Sequence, residues 1–325
     1  MLVRNKTIAR RVGPALLSIS ALFLFQTSAW SQAYPDRPIH IDTSEPGGGA
    51  DMFTRVVAAA IMKPLGQPII VNNLPGGIIV AQTVASSAPD GYTLLYAGTS
   101  VMDGPFFQKT PYDPIRSFEP VAMVAKAPAV LVVNPTVPVK TVRDFINLAK
   151  AHPGQLNYAS ATIGSGSHLS MELLKSMAGI NVVRVAYKGG GQAITAVVSG
   201  EVQAMIAEPG FVTPFLRSGK LRALGVTTAE RSPIFPNLPS ISSTIPGYDW
   251  ETMDGIWAPA GTPKTIVDKL NQVIVHALNG PDVKGKFFRA GSVTAGSSPS
   301  ELATAEKSDL ARIGKLVHSL GIRPH

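Results

Sequence analysis

The segment Ile39–Asp51 (IHIDTSEPGGGAD) combines three signals in one short stretch. It opens with apolar residues of high β propensity, continues through three consecutive glycines, and leads into an apolar helical period that begins at Met52. Two further segments, Gly164–His168 (GSGSH) and Tyr187–Gln192 (YKGGGQ), also lie between an apolar stretch and a helical pattern. Such junctions predict strand-to-helix units, which are typical of a layered α/β protein.

Glycine-rich junctions of this kind suit the binding of small anions. A glycine allows backbone N–H groups to approach a ligand closely. The first turn of the following helix adds N–H groups without partners and a partial positive charge. The three loops therefore indicate a site that holds an anion without requiring an arginine.

Short apolar stretches alternate with helical ones along the rest of the chain. A helix with one buried face is predicted over Met52–Ile61, ended by Pro64 and Gly66, and another over Val267–Leu278. The predicted strands lie near Ile39–Thr43, Pro68–Asn72, Thr93–Ala97, Val121–Val124, Ala129–Val133, Leu156–Ser160, Val183–Tyr187, Val202–Ala207, Ala223–Thr227 and Gly255–Ala258.

Residues 1–33 have the features of a secretory signal peptide. Four basic residues between Arg4 and Arg11 precede an apolar run, and small residues stand at Ser31 and Ala33. A membrane anchor is the competing interpretation, but the run is shorter than the roughly 20 apolar residues that a spanning helix needs, and Pro14 interrupts it. The residues after Arg11 match the twin-arginine signal poorly, so the ordinary secretory route is favoured. We expect cleavage after Ala33 and a periplasmic protein.

Composition excludes several classes of function. The formal net charge is +8, but four positive and no negative residues precede Ala33, so the mature chain carries +4. The chain has no cysteine, which excludes a disulfide framework, a thiolate metal site, a cysteine nucleophile and a lipid-modified cysteine. The sequence contains no basic tract with interleaved aromatic residues, so nucleic acid is disfavoured as a partner. We expect a soluble, unanchored protein without a metal or cofactor.

Two proline- and glycine-rich segments are candidate crossings between lobes, because contacts between domains are sparse in such segments. They are Val133–Pro135 and Ala258–Pro263. The predicted organisation is a first domain of residues 34–133 plus 255–325 and a second domain of residues 134–254. A ligand is then expected in the cleft between the two domains.

An ordered set of motifs resembles the periplasmic solute-binding proteins of tripartite tricarboxylate transporters, also called the Bug family. Any one of these motifs is weak, whereas the set in its order from Tyr34 to beyond Leu270 is specific. The matching segments are YPDRPI at 34–39, PGGGAD at 46–51, APDGYTLL at 88–95, PYDP at 111–114, YKG at 187–189, GKLRAL at 219–224 and APAGTP at 258–263.

The resemblance implies a two-lobed Venus-flytrap receptor of the type II-like periplasmic-binding-protein fold. Such a receptor takes a small carboxylate into its interdomain cleft and delivers it to a membrane permease with one large and one small subunit. Family members hold one carboxylate between two loops, which correspond here to Ser44–Asp51 and Ser160–His168. A monomer is the simplest state for a receptor that docks on a permease.

The first domain contributes candidates around the first glycine loop and after the strand that ends at Ala97. The alternative for the glycines is a plain tight turn. For Asp51 a structural role at the helix start is favoured over ligand contact, because a carboxylate repels an anion. The candidate ligand-binding residues of this domain are Ser44, Pro46, Gly47, Gly48, Gly49, Asp51, Thr99 and Ser100.

The second domain contributes hydroxyl groups, an imidazole and backbone N–H groups. The alternatives are that Ser167 caps the helix while His168 packs against the sheet, that Tyr187 is an aromatic at the edge of the core, and that Lys188 is a solvated charge. The candidates of this domain are Ser160, Thr162, Gly164, Ser165, Gly166, His168, Tyr187, Lys188, Gly189 and Glu208.

Some positions depart from the family pattern and bear on ligand identity. Glu45 stands where members carry an apolar residue, Met253 replaces a usual tryptophan, and Ala207 with Glu208 lies near a frequent aspartate. A carboxylate at Glu45 either points away from the cleft or disfavours an anion, unless the ligand carries a cationic or hydroxyl group. The identity of the carboxylate therefore stays open among dicarboxylates, tricarboxylates, aromatic acids, amino acids and nicotinate-like acids.

Two other classes of function compete with a transport receptor. A sensor that presents its liganded form to a membrane two-component kinase uses the same closure. An exported hydrolase is disfavoured, because the chain lacks a Gly-x-Ser-x-Gly elbow and the sequence identifies no acidic partner for Ser165–His168.

Overall fold

The computed structural model describes residues 1–2 and 34–322. The predicted signal peptide and its cleavage point fall almost entirely on residues 3–33, outside the described part. Among the described residues, no helix has both the length and the apolar character needed to cross a membrane.

Two mixed β-sheets with flanking helices form the body of the chain. The first sheet has the strand order β11-β4-β10-β3-β1-β2 and the second the order β7-β6-β8-β5-β9. The strands are β1 Ile39–Thr43, β2 Ile69–Asn73, β3 Thr93–Gly98, β4 Phe118–Pro128, β5 Val130–Val133, β6 Asn157–Ser160, β7 Val183–Ala186, β8 Ala204–Ala207, β9 Arg222–Val226, β10 Glu251–Pro259 and β11 Val293–Thr294.

Ten helices connect or cover these strands in the described residues, and a 3-10 turn follows α3 at Gly104–Phe106 and another follows β9 at Ile241–Ser243. The predicted α/β architecture is confirmed. The helices are α1 Gly49–Leu65, α2 Gly77–Ala85, α3 Thr99–Met102, α4 Val142–Ala151, α5 Gly166–Ala178, α6 Gly190–Ser199, α7 Pro209–Arg217, α8 Lys264–Asn279, α9 Pro281–Arg289 and α10 Pro299–Ser319.

Helix α1 shows how the sequence pattern becomes structure. Its buried residues recur at helical spacing and pack on the first sheet. The helix tolerates Pro64 because this residue lies in its last turn, and Gly66 ends it in the left-handed conformation at φ 69°, donating its N–H to the carbonyls of Met62 and Lys63. The helix thus ends where the sequence predicts.

Each lobe is built on one sheet, and the chain changes sheet at specific places. Strand β4 pairs in the first sheet and β5 in the second, so one crossing lies at Ala129. Strand β9 pairs in the second sheet and β10, from Glu251 onward, in the first. Sheet membership therefore places Val130–Val133 in the second lobe and Glu251–Asp254 in the first. It also puts no change of sheet at Ala258–Pro263.

The last helix, α10, contacts the cores of both lobes. Leu302 lies in the core of the first lobe, whereas Ile313, Leu316 and Val317 pack into the core of the second. The assignment of residues 255–325 to the first domain stays a prediction, within which α10 also packs on the second core. An apolar helix face that extends across two cores ties the lobes together.

Parallel pairing sets the position of the cleft. Strands β1 and β3 run parallel in the first sheet, and β6 and β8 run parallel in the second. The carboxyl ends of these four strands lead into the N-termini of α1, α3, α5 and α7. In open α/β sheets the carboxyl ends of parallel strands are the usual place for a ligand.

Candidate ligand-binding cleft

Three adjoining cavities of about 410, 220 and 120 Å³ lie between the two sheets. All three are lined by Glu208 and Thr252, and we refer to them together as the cleft. The first lobe contributes Gly98 and Ser100 to the walls of the cleft, and the second lobe contributes Ser165 and Gly166. The total is adequate for a small organic molecule.

The first lobe presents the N-terminus of α1 to the cleft. Ser44, Gly49 and Ala50 line the 220 Å³ cavity. The residue that precedes the helix is Gly48, so no side chain caps the first turn. Backbone N–H groups of this turn are therefore available to a ligand in the cleft.

Asp51 stabilises the loop that precedes α1. Its Oδ2 accepts a hydrogen bond from the N–H of Gly47 at 2.9 Å, and its Oδ1 accepts from Arg55 Nε at 2.8 Å and from Asn73 Nδ2 at 2.9 Å. The Gly47 N–H is the main cause that lowers the pKa of this buried carboxyl. Asp51 does not line the cleft, so the geometry supports its structural role.

Glu45 is directed toward the neighbouring helix rather than into the cleft. Its Oε1 accepts a hydrogen bond at 2.7 Å from the N–H of Gly76, the residue that precedes α2. Glu45 does not line any of the three cavities. The unusual carboxylate at this position therefore bonds to the residue that precedes α2 and leaves the N-terminus of α1 open.

The second lobe presents the N-terminus of α5. Thr162, Gly164, Ser165 and Gly166 line the 410 Å³ cavity. Ser165 precedes the helix, and its hydroxyl makes no capping hydrogen bond to the first turn. The Ser165 hydroxyl lies 3.2 Å from that of Ser167 instead. The arrangement leaves first-turn N–H groups for the cleft, as in α1.

Gly164 has the left-handed backbone that this loop needs, at φ 80°. A Cβ at this position would lie 2.7 Å from Cδ2 of Phe107, which also lines the cavity. The loop thus packs closely against the aromatic ring of the other lobe. Glycine is required here both by conformation and by space.

His168 is buried behind the loop instead of facing a ligand. Its Nδ1 accepts a hydrogen bond from the Gly164 N–H at 3.1 Å. Burial, followed by the positive charge of Arg184, lowers the pKa of His168 to about 4. The imidazole is therefore neutral at pH 7, and the expectation that it adds positive charge to the site is not supported.

Ser160 is likewise engaged behind the loop. It is fully buried, and its Oγ accepts a hydrogen bond from Arg184 Nε at 2.7 Å. The same guanidinium donates through Nη2 to the carbonyl of Ala161 at 2.8 Å. Arg184 therefore holds the backbone of the loop in place from outside the cleft.

The structure brings half of the predicted candidates to the cleft. Tyr187 donates its hydroxyl to Glu201 at 2.8 Å, which turns it away from the cavities, although the neighbouring Gly190 lines the smallest one. The candidates that line the cleft are Ser44, Gly49, Thr99, Ser100, Thr162, Gly164, Ser165, Gly166 and Glu208. Those that do not are Pro46, Gly47, Gly48, Asp51, Ser160, His168, Tyr187, Lys188 and Gly189.

Several residues of the cleft are not found by sequence reasoning. Trp250, Thr252 and Asp254 lie on or just before β10. Alternate residues of a strand point to the same face. A strand that begins at Glu251 therefore predicts that Thr252 and Asp254 share a face, in line with Trp250 just before it. The predicted strand begins at Gly255, four residues after the start of β10, and so does not include this set. Phe107 and Asp103 come from a turn that has no such period.

Carboxyl groups dominate the ionisable side chains of the cleft. Desolvation by the surrounding walls of the cleft raises the pKa of Glu208, and burial together with the Glu208 charge raises the pKa of Asp254 to about 7. Burial also raises the pKa of Asp103 to about 8. In the described residues, no lysine, arginine or histidine lines the cleft.

Residues 53–322 match the Tripartite tricarboxylate transporter family receptor, TctC, over more than half of the chain. The chain belongs to this family. The resemblance that the motifs indicate is thereby confirmed, and the protein is a receptor of the TctC family.

Solved structures of similar proteins have the same fold. The receptor is 32% identical to R. palustris Rpa4515 with adipate, with a TM-score of 0.78 over 90% of this chain and 100% of that chain. It is 31% identical to MatC from Rhodopseudomonas palustris with bound malate, with a TM-score of 0.73 over 87% and 100%. It is 28% identical to the periplasmic binding protein BugD, with a TM-score of 0.74 over 90% and 100%. The two-lobed periplasmic-binding-protein fold is confirmed.

Proposed function

We propose that this receptor captures a small organic acid in the cleft, in the periplasm, and delivers it to a membrane permease with one large and one small subunit. The observation that carries the proposal is the pair of helix N-termini at Gly49 and Gly166. Both line the cleft from opposite lobes, and neither has a side-chain cap. Two such termini stabilise one carboxylate without a cationic side chain.

The similar proteins support an organic acid as the ligand. One of them is solved with adipate and another with malate. In this receptor, binding would draw the two lobes together, because the carboxylate makes hydrogen bonds to both only when the cleft is closed. Release to the permease reverses that movement, and no covalent step is part of the cycle.

The cleft is a better ligand site than the other large groove in the described residues. That groove, of about 340 Å³, is lined by Lys126, Thr228, Arg231 and Asp249, close to where the chain passes between the sheets. It shares no lining residue with the cleft and contains no helix N-terminus. Its charges include both signs and lie near the surface, where water screens them.

A thermal-shift screen of residues 34–325 against mono-, di- and tricarboxylic, aromatic and amino acids tests the proposal. A ligand at 100 times its dissociation constant stabilises the folded state by about 2.7 kcal/mol, which is readily seen. We expect a response confined to one class of acid, with the acid recovered unchanged after incubation. Chemical turnover of the acid, or no response to any acid from protein shown by native mass spectrometry to be ligand-free, would contradict the proposal.

A further inference from the structure

The ionisable groups of the cleft all have the wrong sign for a purely anionic ligand. Asp103, Glu208 and Asp254 line it, and we refer to these three residues as the acidic subsite. None of the ion pairs formed within residues 34–322 involves any of them. The cleft therefore offers backbone N–H groups at two helix starts and unpaired carboxyl groups elsewhere.

Glu208 occupies the centre of this arrangement because it lines all three cavities. It is the residue before α7, a position where an acidic side chain usually accepts hydrogen bonds from the first turn. Here the side chain makes no such bond. Its carboxylate is accessible from the cleft and is available to a group of the ligand.

Asp254 approaches from the opposite sheet, and the chain makes room for it. It pairs with Gly98 across β10 and β3, and a Cβ on residue 98 would lie 2.9 Å from Asp254 Oδ1. Its Oδ2 lies 3.4 Å from the Tyr96 hydroxyl, which is a weak contact. The negative charge of Glu208 is felt at Asp254 and contributes to its raised pKa. Two like-charged groups are therefore held close together in one cavity.

Asp103 supplies an independent observation. It is only 4% exposed, lines the largest cavity beside Glu208, and its Oδ1 has no hydrogen-bond partner in the described part of the chain. A buried polar atom without a partner is costly, and most such atoms in folded proteins are satisfied by protein, water or a ligand. Asp103 thus places an unsatisfied carboxyl oxygen next to the wall of the cleft.

We propose that the acidic subsite binds a cationic group, so that the receptor's ligand is a zwitterion: an organic acid that also carries a protonated amine or a quaternary ammonium group. The inference rests on the proposed function, because the two helix N-termini hold the carboxylate of the same molecule. An ammonium group donates hydrogen bonds to carboxylates, and its positive charge offsets the repulsion between the carboxylates of Glu208 and Asp254. A second carboxylate on the ligand would instead bring a third negative charge to Glu208 and Asp254.

Matched ligands test the proposal directly. Isothermal titration calorimetry of residues 34–325 would compare pentanoate, glutarate, 5-aminopentanoate and 2-aminopentanoate, together with the corresponding sets that are one and two carbons shorter and longer. In at least one set, we expect an amine-bearing acid to bind about tenfold or more tightly than the dicarboxylate of the same length. A dicarboxylate that binds as tightly as the amine-bearing acids in every set would overturn the inference.

Substitutions assign the preference to particular residues. The double variant Glu208→Gln/Asp254→Asn keeps the size of both side chains and removes their charge. We expect its affinity for the amine-bearing acid to fall about tenfold or more, while its affinity for the matched dicarboxylate stays the same or rises. The control Glu230→Gln removes an exposed carboxylate that does not line the cleft and leaves both affinities unchanged. Circular dichroism and thermal unfolding verify that each variant is folded, and a folded double variant that keeps the preference would refute the inference.

Failure of this inference is distinct from failure of the proposed function. If dicarboxylates bind and Gly166→Val weakens them, the receptor function stands and the acidic subsite does not read a cation. If no probe of any class binds to ligand-free protein, both proposals are contradicted.

Discussion

Helix N-termini at the cleft differ from two that begin on the outer surface. Helices α1 and α5 begin at the cleft, and neither has a side-chain cap. Helices α4 and α10 begin elsewhere and have complete capping boxes, Thr141 with Asp144 and Ser298 with Glu301. A cap satisfies N–H groups that have no partner within the helix. Their omission at the cleft leaves those groups for a ligand.

The two kinds of helix start also use their acidic residues differently. Asp144 and Glu301 stand in the first turns of α4 and α10 and accept from the backbone of their caps. Asp51 stands in the first turn of α1 but accepts from Gly47 in the preceding loop and from Arg55 and Asn73. The carboxylate thus fixes the shape of the loop without occupying the helix end.

The largest effect is expected where the cleft-side loop is most constrained. Gly164→Val places a branched side chain at φ 80° and against the ring of Phe107. We expect a loss of about 3 kcal/mol in the free energy of unfolding, measured by urea denaturation. Gly191→Val is the matched control, because a Cβ there meets nothing within 4 Å. Equal stability of the two variants would mean that this loop is not tightly packed.

Removing the Asp51 carboxylate, which holds the loop before α1, should have the next largest effect on stability. Asp51→Ala removes hydrogen bonds to Gly47 and Asn73, and we expect about 2 kcal/mol lower stability. Asp51→Asn keeps an acceptor for Gly47 but puts an NH2 group where Arg55 and Asn73 donate, so it loses both of those contacts, and its loss of stability should be smaller only by the surviving Gly47 hydrogen bond. A full loss of ligand affinity without any loss of stability would show instead that Asp51 contacts the ligand.

The acidic side of the cleft predicts a pH dependence of the unliganded protein. The folded-state pKa of Asp103 is about 8, far above the value of about 4 expected on unfolding, so between pH 6.5 and 8 only the folded state holds this proton. Stability therefore falls as pH rises through this window, by about 1.5 kcal/mol from this group. Asp254 and Glu306, with pKa values of about 7, act in the same direction.

Thermal unfolding of the wild type and of Asp103→Asn across pH 6.5–8 measures this slope. In the variant, stability should fall less steeply with rising pH, and the remaining fall should come from Asp254 and Glu306. His168, with a folded-state pKa of about 4, adds a small opposite change near pH 6.5 that is the same in both proteins, so it cancels in the comparison. Identical slopes in the two proteins would contradict a protonated Asp103.

The smallest effect is expected at an outer helix start. Ser298→Ala removes the hydroxyl that accepts from the N–H of Glu301, and we expect about 1 kcal/mol lower stability. Affinity for the organic acid should not change, because Ser298 does not line the cleft. A clear change in affinity would mean that capping at α10 is coupled to the cleft.

The spacing of apolar residues along the sequence predicts most of the strands of the fold. Ten predicted strands correspond to β1–β10, because apolar runs between turn residues are a strong signal. The two residues of β11 are too few to produce a pattern. The start of β10 was placed at Gly255 instead of Glu251, because the alternation of Trp250, Thr252 and Asp254 mixes aromatic, hydroxyl and acidic residues.

Candidates that depend on backbone features line the cleft more often than those that depend on side-chain direction. Ser165 and Gly166 follow from the glycine loop and the helix start, and both line the largest cavity. His168 was a candidate by residue type, but the sequence does not show that the nearby Gly164 N–H turns the imidazole inward. The direction of Glu45 likewise depends on Gly76, which is distant in sequence.

One measurement tests most directly whether the uncapped helix starts hold the ligand. It is the calorimetric affinity of the best-binding organic acid for the wild type, for Gly166→Val and for the control Gly191→Val. Residue 166 has space for a Cβ, the nearest atom being Trp250 Nε1 at 3.9 Å, so the variant should fold while its side chain blocks the first turn of α5. We predict that Gly166→Val binds about 100-fold more weakly, equivalent to about 2.7 kcal/mol, and that Gly191→Val binds as the wild type does. Wild-type affinity in a folded Gly166→Val protein would contradict the account.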